Sequence, residues 1–125
     1  MIKIEKQIDY WFKSAFDDLE TAKILIVNKR YLQGLFFCHL VVEKAIKAIV
    51  VKNTAEIAPR SHNLLYLSEL AGISYNEDDE NFLGILMKYQ LQGRYPDYNP
   101  LIPNEEKLNV YLFKTENLLL WLKQR

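Results

Sequence analysis

The sequence predicts an all-α protein, an up-and-down four-helix bundle with one additional short helix. Apolar side chains recur at intervals of three and four residues through most of the chain, which is the period of a helix face. No stretch alternates apolar and polar residues as a half-buried strand does, and only four glycines and four prolines occur in the 125 residues. A chain of this length is expected to form a single domain, residues 1–125, whose core needs neither disulfide nor metal.

The first predicted helix covers residues 4–28. Its apolar positions step by threes and fours and define an inner face, made of Ile8, Trp11, Phe12, Ala15, Leu19, Ala22, Leu25 and Ile26. Residues 28–30 form a polar turn that is short enough to make the first two helices antiparallel neighbours.

The second predicted helix covers residues 31–52 and is apolar on most of its circumference. Such a helix must be buried on several sides, at the centre of a bundle or at a subunit interface. Phe37 and Leu40 are expected in the core. The apolar surface of this helix exceeds what a four-helix core would cover, which predicts a homodimer.

Polar residues interrupt this apolar helix along one line. His39, Glu43 and Lys47 recur every four residues, and Glu43 precedes Lys47 in the order that favours a helical ion pair. Lys44 points away from that pair. The line is interpreted either as a solvated stripe beside a packed histidine, or as the docking place of a partner or an anionic ligand.

The second half of the chain predicts three further helices. After a loop marked by Pro59, Ser61 is the expected N-cap of a short helix over 62–71 that Gly72 ends. Ser74 and Glu77 have the spacing of a capping box for a helix that continues to about residue 89. A proline-containing loop over 93–100 leads to the last helix, 104–123, whose expected inner face is Leu108, Tyr111, Leu112, Thr115, Leu118, Leu119 and Leu122.

Composition excludes several classes of function. The formal net charge of zero gives no basis for broad nucleic-acid binding, although local basic patches remain open. The single cysteine, Cys38, predicts a buried thiol in a reducing cytosol. The N-terminus alternates charged and apolar residues, unlike a signal peptide, and the apolar run over 35–42 is too short to span a bilayer, so a cytoplasmic protein without membrane contact is expected. No motif indicates a metal, a cofactor or a catalytic group.

Several segments, in this order, resemble the HEPN domain (higher eukaryotes and prokaryotes nucleotide-binding). They are Trp11, Ala15, Asp18-Leu19 and Ala22 in the first helix; Tyr31, Phe37-Cys38-His39 and residues 43–48 in the second; His62-Asn63-Leu64 with Leu67; and residues 93–97. The resemblance implies a helical bundle that usually dimerises. In prokaryotes such proteins are often encoded beside a minimal nucleotidyltransferase as a toxin–antitoxin pair.

The resemblance also bears on activity, because many HEPN proteins are metal-independent ribonucleases. Those use an Arg followed by four to six residues and a His, near the subunit interface. Here Arg94 lies in the matching loop, but residues 99–101 are Asn, Pro and Leu. Arg60 lies only two residues before His62. The expected general acid/base is therefore missing from its motif, which argues against an enzyme.

Three functions remain as hypotheses at the level of the sequence. The first is a dimeric module that binds a nucleotide, RNA or a partner enzyme through Lys44, Lys47, Arg60, His62, Arg94 and Tyr95. The second is a ribonuclease in which a displaced histidine, His39 or His62, completes the site. The third is a purely structural interaction protein.

Overall fold

The computed structural model describes residues 3–90 and 101–125, and within these ranges it contains five helices and no strand. The all-α prediction is confirmed. The helices are α1 (Ile4–Val27), α2 (Tyr31–Thr54), α3 (Leu64–Ala71), α4 (Glu77–Met87) and α5 (Glu105–Lys123). None of the helices within the described ranges is long and apolar enough to cross a membrane.

Helix α2 lies at the centre of the bundle. It packs against α1, α3, α4 and α5, which explains why its sequence is apolar nearly all round. The protein's own helices therefore cover most of α2. The apolar character of this helix is accounted for within one chain, so it no longer provides the reason for a dimer.

The core positions on α2 differ in part from those expected. Leu35, Val42 and Ile46 are fully buried, whereas Phe37 and Leu40 are only half-buried. Neither side chain is fully buried as expected, although Phe37 packs against the edge of the core. Most of the circumference of this helix is apolar, so periodicity could not distinguish the side that the neighbouring helices leave open.

The turn between α1 and α2 brings the two helices close together. Lys29 has a φ of 63°, a left-handed conformation that lets the chain reverse within a few residues. A Cβ placed on Gly34 would lie 2.5 Å from Cγ1 of Ile26. The glycine thus makes room for the Ile26 side chain between the antiparallel helices.

Asparagine side chains begin the later helices, in place of the predicted serines. Asn63 caps α3 and Asn76 caps α4, each accepting the backbone N–H three residues further on. Ser61 instead accepts the N–H of Asn63, and the predicted capping box starting at Ser74 is not formed. Gly72 ends α3 as predicted, with a φ of 71°.

Helix α5 buries the predicted face, with Leu112 alone among its members half-buried. Thr115 lies in this face, and its hydroxyl donates to the carbonyl of Tyr111 at 2.8 Å. The internal hydrogen bond allows a hydroxyl to be buried without an unsatisfied donor.

The thiol of Cys38 is completely buried, as the sequence predicts. Burial raises its pKa to about 11, because a thiolate would lose its hydration, and a hydrogen bond to Thr115 only partly offsets this. We expect the native protein to resist an alkylating reagent at pH 8 and the urea-unfolded protein to react at once. Rapid modification of the folded protein would contradict the packing of α2 against α5.

The same burial predicts a loss of stability at alkaline pH. The thiol pKa is higher in the folded state than its unperturbed value of 9.0. Between about pH 9 and pH 11 only the unfolded chain releases this proton, so rising pH favours unfolding in that window. Thermal melts of a Cys38→Ser variant and of the parent across this pH range isolate the contribution of the thiol to the loss of stability.

Candidate functional site

The polar line on α2 is buried. His39, Glu43 and Lys47 expose only 1%, 3% and 6% of their surfaces, so the interpretation as a solvated stripe was wrong. The predicted ion pair forms, with Lys47 Nζ 3.1 Å from Glu43 Oε2. Buried charges are costly unless they are paired, so these three residues are held by specific contacts.

The carboxylate of Glu43 joins the line to the loop before α3. Its Oε1 accepts a hydrogen bond from Nδ1 of His62 at 3.0 Å, while Oε2 accepts from Lys47. The Nε2 of His39 donates to the backbone carbonyl of His62 at 3.1 Å. Carboxylate and carbonyl oxygens only accept, so the ring nitrogen that each histidine uses in these contacts must carry a hydrogen. His62 is therefore held by its side chain and by its backbone.

Helix α1 packs against the other side of these polar side chains. The ammonium of Lys47 lies 5.2 Å from the centre of the Trp11 ring, within the range of a cation–π interaction. The indole N–H of Trp11 is buried and has no hydrogen-bond partner among the described residues. We define the polar cluster as His39, Glu43, Lys47 and His62, of which the first three are buried.

Lys44 lies outside this cluster. Its Nζ is 2.7 Å from Oδ2 of Asp18 and donates to Oγ of Ser14 at 2.7 Å, so α1 holds it. Asp18 thus acts as the partner of a lysine, and it forms no acid pair with Asp17. The sequence offered one signal for this contact, since the antiparallel α1–α2 hairpin brings residues near 18 opposite residues near 44.

His62 differs from the rest of the cluster because it reaches the surface. Its side chain is 47% exposed, whereas the Glu43 side chain that holds it is 4% exposed. The Nδ1 atom faces inward, which leaves Nε2 on the outer edge of the ring. His39 is the other histidine of the chain, and its burial keeps it from any ligand.

Arg60 is a further predicted site residue among the residues that the structure describes. It is exposed and lies two residues before His62, in the loop between α2 and α3. Two other predicted site residues, Arg94 and Tyr95, lie outside the described residues. The structure thus brings His39, Glu43, Lys47 and His62 together, with Arg60 adjacent in the chain and Lys44 apart, held against α1.

The chemistry of this site is that of one anchored, accessible imidazole, with an exposed arginine two residues earlier in the chain. Such groups bind anionic oxygens by charge-assisted hydrogen bonds, and an imidazole can also transfer a proton. Within residues 3–90 and 101–125, no three His, Cys, Asp or Glu side chains are grouped as metal ligands.

The fold and this site define a helical-bundle domain with a surface histidine anchored from its central helix. The model of the HEPN domain family matches residues 8–125, and the chain belongs to that family.

Two solved structures have the same fold. TT1696 from Thermus thermophilus has a TM-score of 0.77 and 21% identity, with 94% of this chain and 97% of that chain covered. ST0689, an archaeal HEPN homologue, has a TM-score of 0.69 and 23% identity, with coverage of 99% and 98%. At this identity the two structures establish the fold alone. No curated protein matches the chain.

Proposed function

We propose that this HEPN-domain protein is a dimeric binding module for phosphate-bearing ligands, a nucleotide or RNA, and that His62 and Arg60 contact the phosphate. The observation that carries the proposal is the anchoring of His62. A half-exposed imidazole is fixed both through Glu43 and through a backbone hydrogen bond from His39. Burying polar and charged groups costs folding free energy, and stability alone does not require such groups to position one surface side chain.

The anchoring favours binding in a specific way. A side chain whose rotamer is already fixed loses little conformational entropy when a ligand binds. Arg60 adds a planar group of donors suited to phosphate oxygens. Arg94 and Tyr95 are proposed as further contacts, the arginine to phosphate and the tyrosine to a base.

Lys44 and Lys47 take a different part in this proposal. Their charges are matched by Asp18 and by Glu43, at 2.7 Å and 3.1 Å. A lysine that already has a close carboxylate offers little net attraction to a phosphate. We assign both to holding α1, α2 and the His62 loop in place.

A ribonuclease with a displaced histidine is the second candidate function. It is supported by the Glu43–His62 contact, because a carboxylate that orients an imidazole is a common arrangement for a general base. Cleavage also needs a group that protonates the leaving oxygen. His39 cannot supply it at 1% exposure, so binding is favoured over cleavage.

Binding of labelled single-stranded RNA and of ATP, measured by fluorescence anisotropy and calorimetry, tests the proposal. We expect Arg60→Ala and His62→Ala each to weaken binding about tenfold or more, because a hydrogen bond to a charged group contributes about 1.5–3 kcal/mol. Arg30→Ala, which removes an exposed arginine at the α1–α2 turn, is the matched control. Equal affinity in all variants would overturn the assignment of the site.

The same RNA samples distinguish the two candidate functions. Incubation with and without Mg²⁺ should leave the RNA intact. Cleavage that persists without metal and disappears in His62→Ala would replace the binding module with the ribonuclease.

The family resemblance also leads us to propose a protein partner, a minimal nucleotidyltransferase encoded beside this chain. Co-expression with the product of the neighbouring gene tests this pairing. A purely structural role would instead be indicated by a stable complex whose formation, like every ligand assay, is unaffected by Arg60→Ala and His62→Ala.

A further inference from the structure

The imidazole of His62 presents one ring nitrogen to the protein and the other to solvent. Its Nδ1 lies 3.0 Å from Oε1 of Glu43, whose side chain is 4% exposed, whereas the His62 side chain is 47% exposed. A carboxylate only accepts hydrogen bonds, so Nδ1 carries the hydrogen. In the neutral ring, Nε2 then has a lone pair and lies on the outer edge. The contact thus selects the tautomer whose exposed nitrogen is a nucleophile.

Buried contacts hold this ring in place from behind. Oε2 of Glu43 accepts a hydrogen bond from Lys47 at 3.1 Å, which fixes the orientation of the carboxylate. Nε2 of His39 donates to the His62 carbonyl at 3.1 Å and fixes the backbone. Histidine is among the residues that form covalent intermediates, and a second group that orients the reacting side chain is typical of such sites. His62 is therefore held in the way that a covalent acceptor is held.

The charges around the exposed nitrogen favour an anionic reagent. Residues 57–68, the loop before α3 and most of that helix, contain no Asp or Glu, and Arg60 is their one charged residue apart from His62. The Glu43 carboxylate lies behind the ring and is paired with Lys47. His62 directly precedes Asn63, the N-cap of α3, and the positive end of a helix stabilises a phosphate placed near it. These charges suit a phosphoryl group on Nε2.

We propose that His62 is a phosphoryl acceptor, which takes a phosphoryl group onto Nε2 from a donor that carries this group on a protonated nitrogen. The Nε2 lone pair forms the new N–P bond. The N–P bond of the donor breaks, and the amine leaves with that electron pair. The His62 ring keeps its Nδ1 hydrogen, and the positive charge that it gains faces the Glu43 carboxylate. One N–P bond replaces another, so the transfer needs neither an oxidant nor a reductant.

This acceptor role goes beyond the binding function, because it needs neither RNA nor a nucleotide. It also bears on that function. A phosphoryl group on Nε2 adds negative charge at the position where His62 is proposed to contact a phosphate, and like charges repel. Phosphorylation of His62 therefore opposes the binding of a phosphate-bearing ligand at this site.

Phosphoramidate, the simplest donor of this class, tests the proposal on the whole chain at pH 8. Intact mass, measured without acid, should show one phosphoryl group per folded chain, and phosphorus NMR should place it on Nε2. The reference is the same protein in urea, where no carboxylate holds the ring. We expect His62 to react at least about tenfold faster in the folded protein, because a hydrogen bond to a charged group contributes about that factor or more. His39 is 1% exposed and should react only in urea.

The position of the phosphoryl group on the ring is the second readout. Nδ1 of the folded protein is covered by Glu43, so the Nδ1 isomer should form early in the reaction only in urea. A folded protein that reacts no faster than the unfolded chain, or that forms the Nδ1 isomer to the same extent, would overturn the proposal. A phosphoryl group that is still acquired by folded His62→Ala would overturn it as well.

A double variant tests Glu43 as the positioning residue. Glu43→Met with Lys47→Met removes both charges together, so no buried charge is left unpaired. Without an acceptor for Nδ1, both ring nitrogens should react and the rate should fall about tenfold, towards that of the unfolded chain. Arg30→Ala, at the exposed α1–α2 turn, is the control and should leave rate and isomer ratio unchanged. An unchanged isomer ratio in the double variant, with its fold verified by circular dichroism, would contradict the selection of the tautomer by Glu43.

These outcomes are independent of the binding assays. Protein that binds RNA or ATP through His62 but accepts no phosphoryl group overturns this inference alone. Protein that accepts the phosphoryl group, while Arg60→Ala and His62→Ala leave ligand affinity unchanged, overturns the proposed function alone.

Discussion

Replacing Lys47 with methionine is expected to lower the free energy of unfolding by about 3 kcal/mol. Lys47 and Glu43 are 6% and 3% exposed, and their charged atoms are 3.1 Å apart. Methionine keeps most of the volume of the lysine stem but removes the ammonium. The Glu43 carboxylate then remains in a low-dielectric surrounding without its cation. A buried charge that has lost its partner strongly destabilises the folded state.

The double variant Glu43→Gln, Lys47→Met provides the decisive comparison. Removing both charges should recover a large part of the loss, since the penalty comes from the unpaired charge. Lys44→Met is the matched control: its pair with Asp18 has side chains 21% and 14% exposed, so a smaller loss of about 1 kcal/mol is expected. Urea unfolding measures all three. A Lys47→Met protein within about 0.5 kcal/mol of the parent would contradict the buried cluster.

Truncating Leu35 to alanine is the second substitution with a large expected effect, a loss of about 2–5 kcal/mol. Leu35 is completely buried on α2, and the bundle cannot collapse fully into the space that the removed side chain leaves. Ile46→Ala should behave similarly, because Ile46 is equally buried on the same helix.

Phe37→Ala is the informative comparison for Leu35→Ala. The phenylalanine is larger but only half-buried, so we expect a smaller loss than for Leu35. Lys29→Ala, at an exposed position, should stay within about 0.5 kcal/mol. Urea unfolding at one protein concentration measures the series. If Phe37→Ala costs more than Leu35→Ala, the orientation of α2 in the bundle is wrong.

The candidate site was only partly predictable. The helical period placed His39, Glu43 and Lys47 on one line and gave the Glu43–Lys47 pair, because both features are local to one helix. Their burial was not predictable, since it depends on the loop before α3 and on Trp11, which the chain brings to α2 from both sides. The contact between Glu43 and His62 joins a helix to a separate loop. Sequence spacing predicts contacts within one helix and could not predict this pair.

The all-α class and the five helices could be predicted from the sequence, which left open whether α2 lies at the centre of the bundle or at a subunit interface. These follow from apolar periodicity and from turn residues such as Gly72, which act over a few neighbouring positions. The tertiary structure alone decided which side of α2 stays open at Phe37, which cations already have carboxylate partners, and that His62 is the histidine that reaches the surface. The physical reason is that burial and pairing arise from the packing of distant segments, whereas helical periodicity records only that a face is apolar.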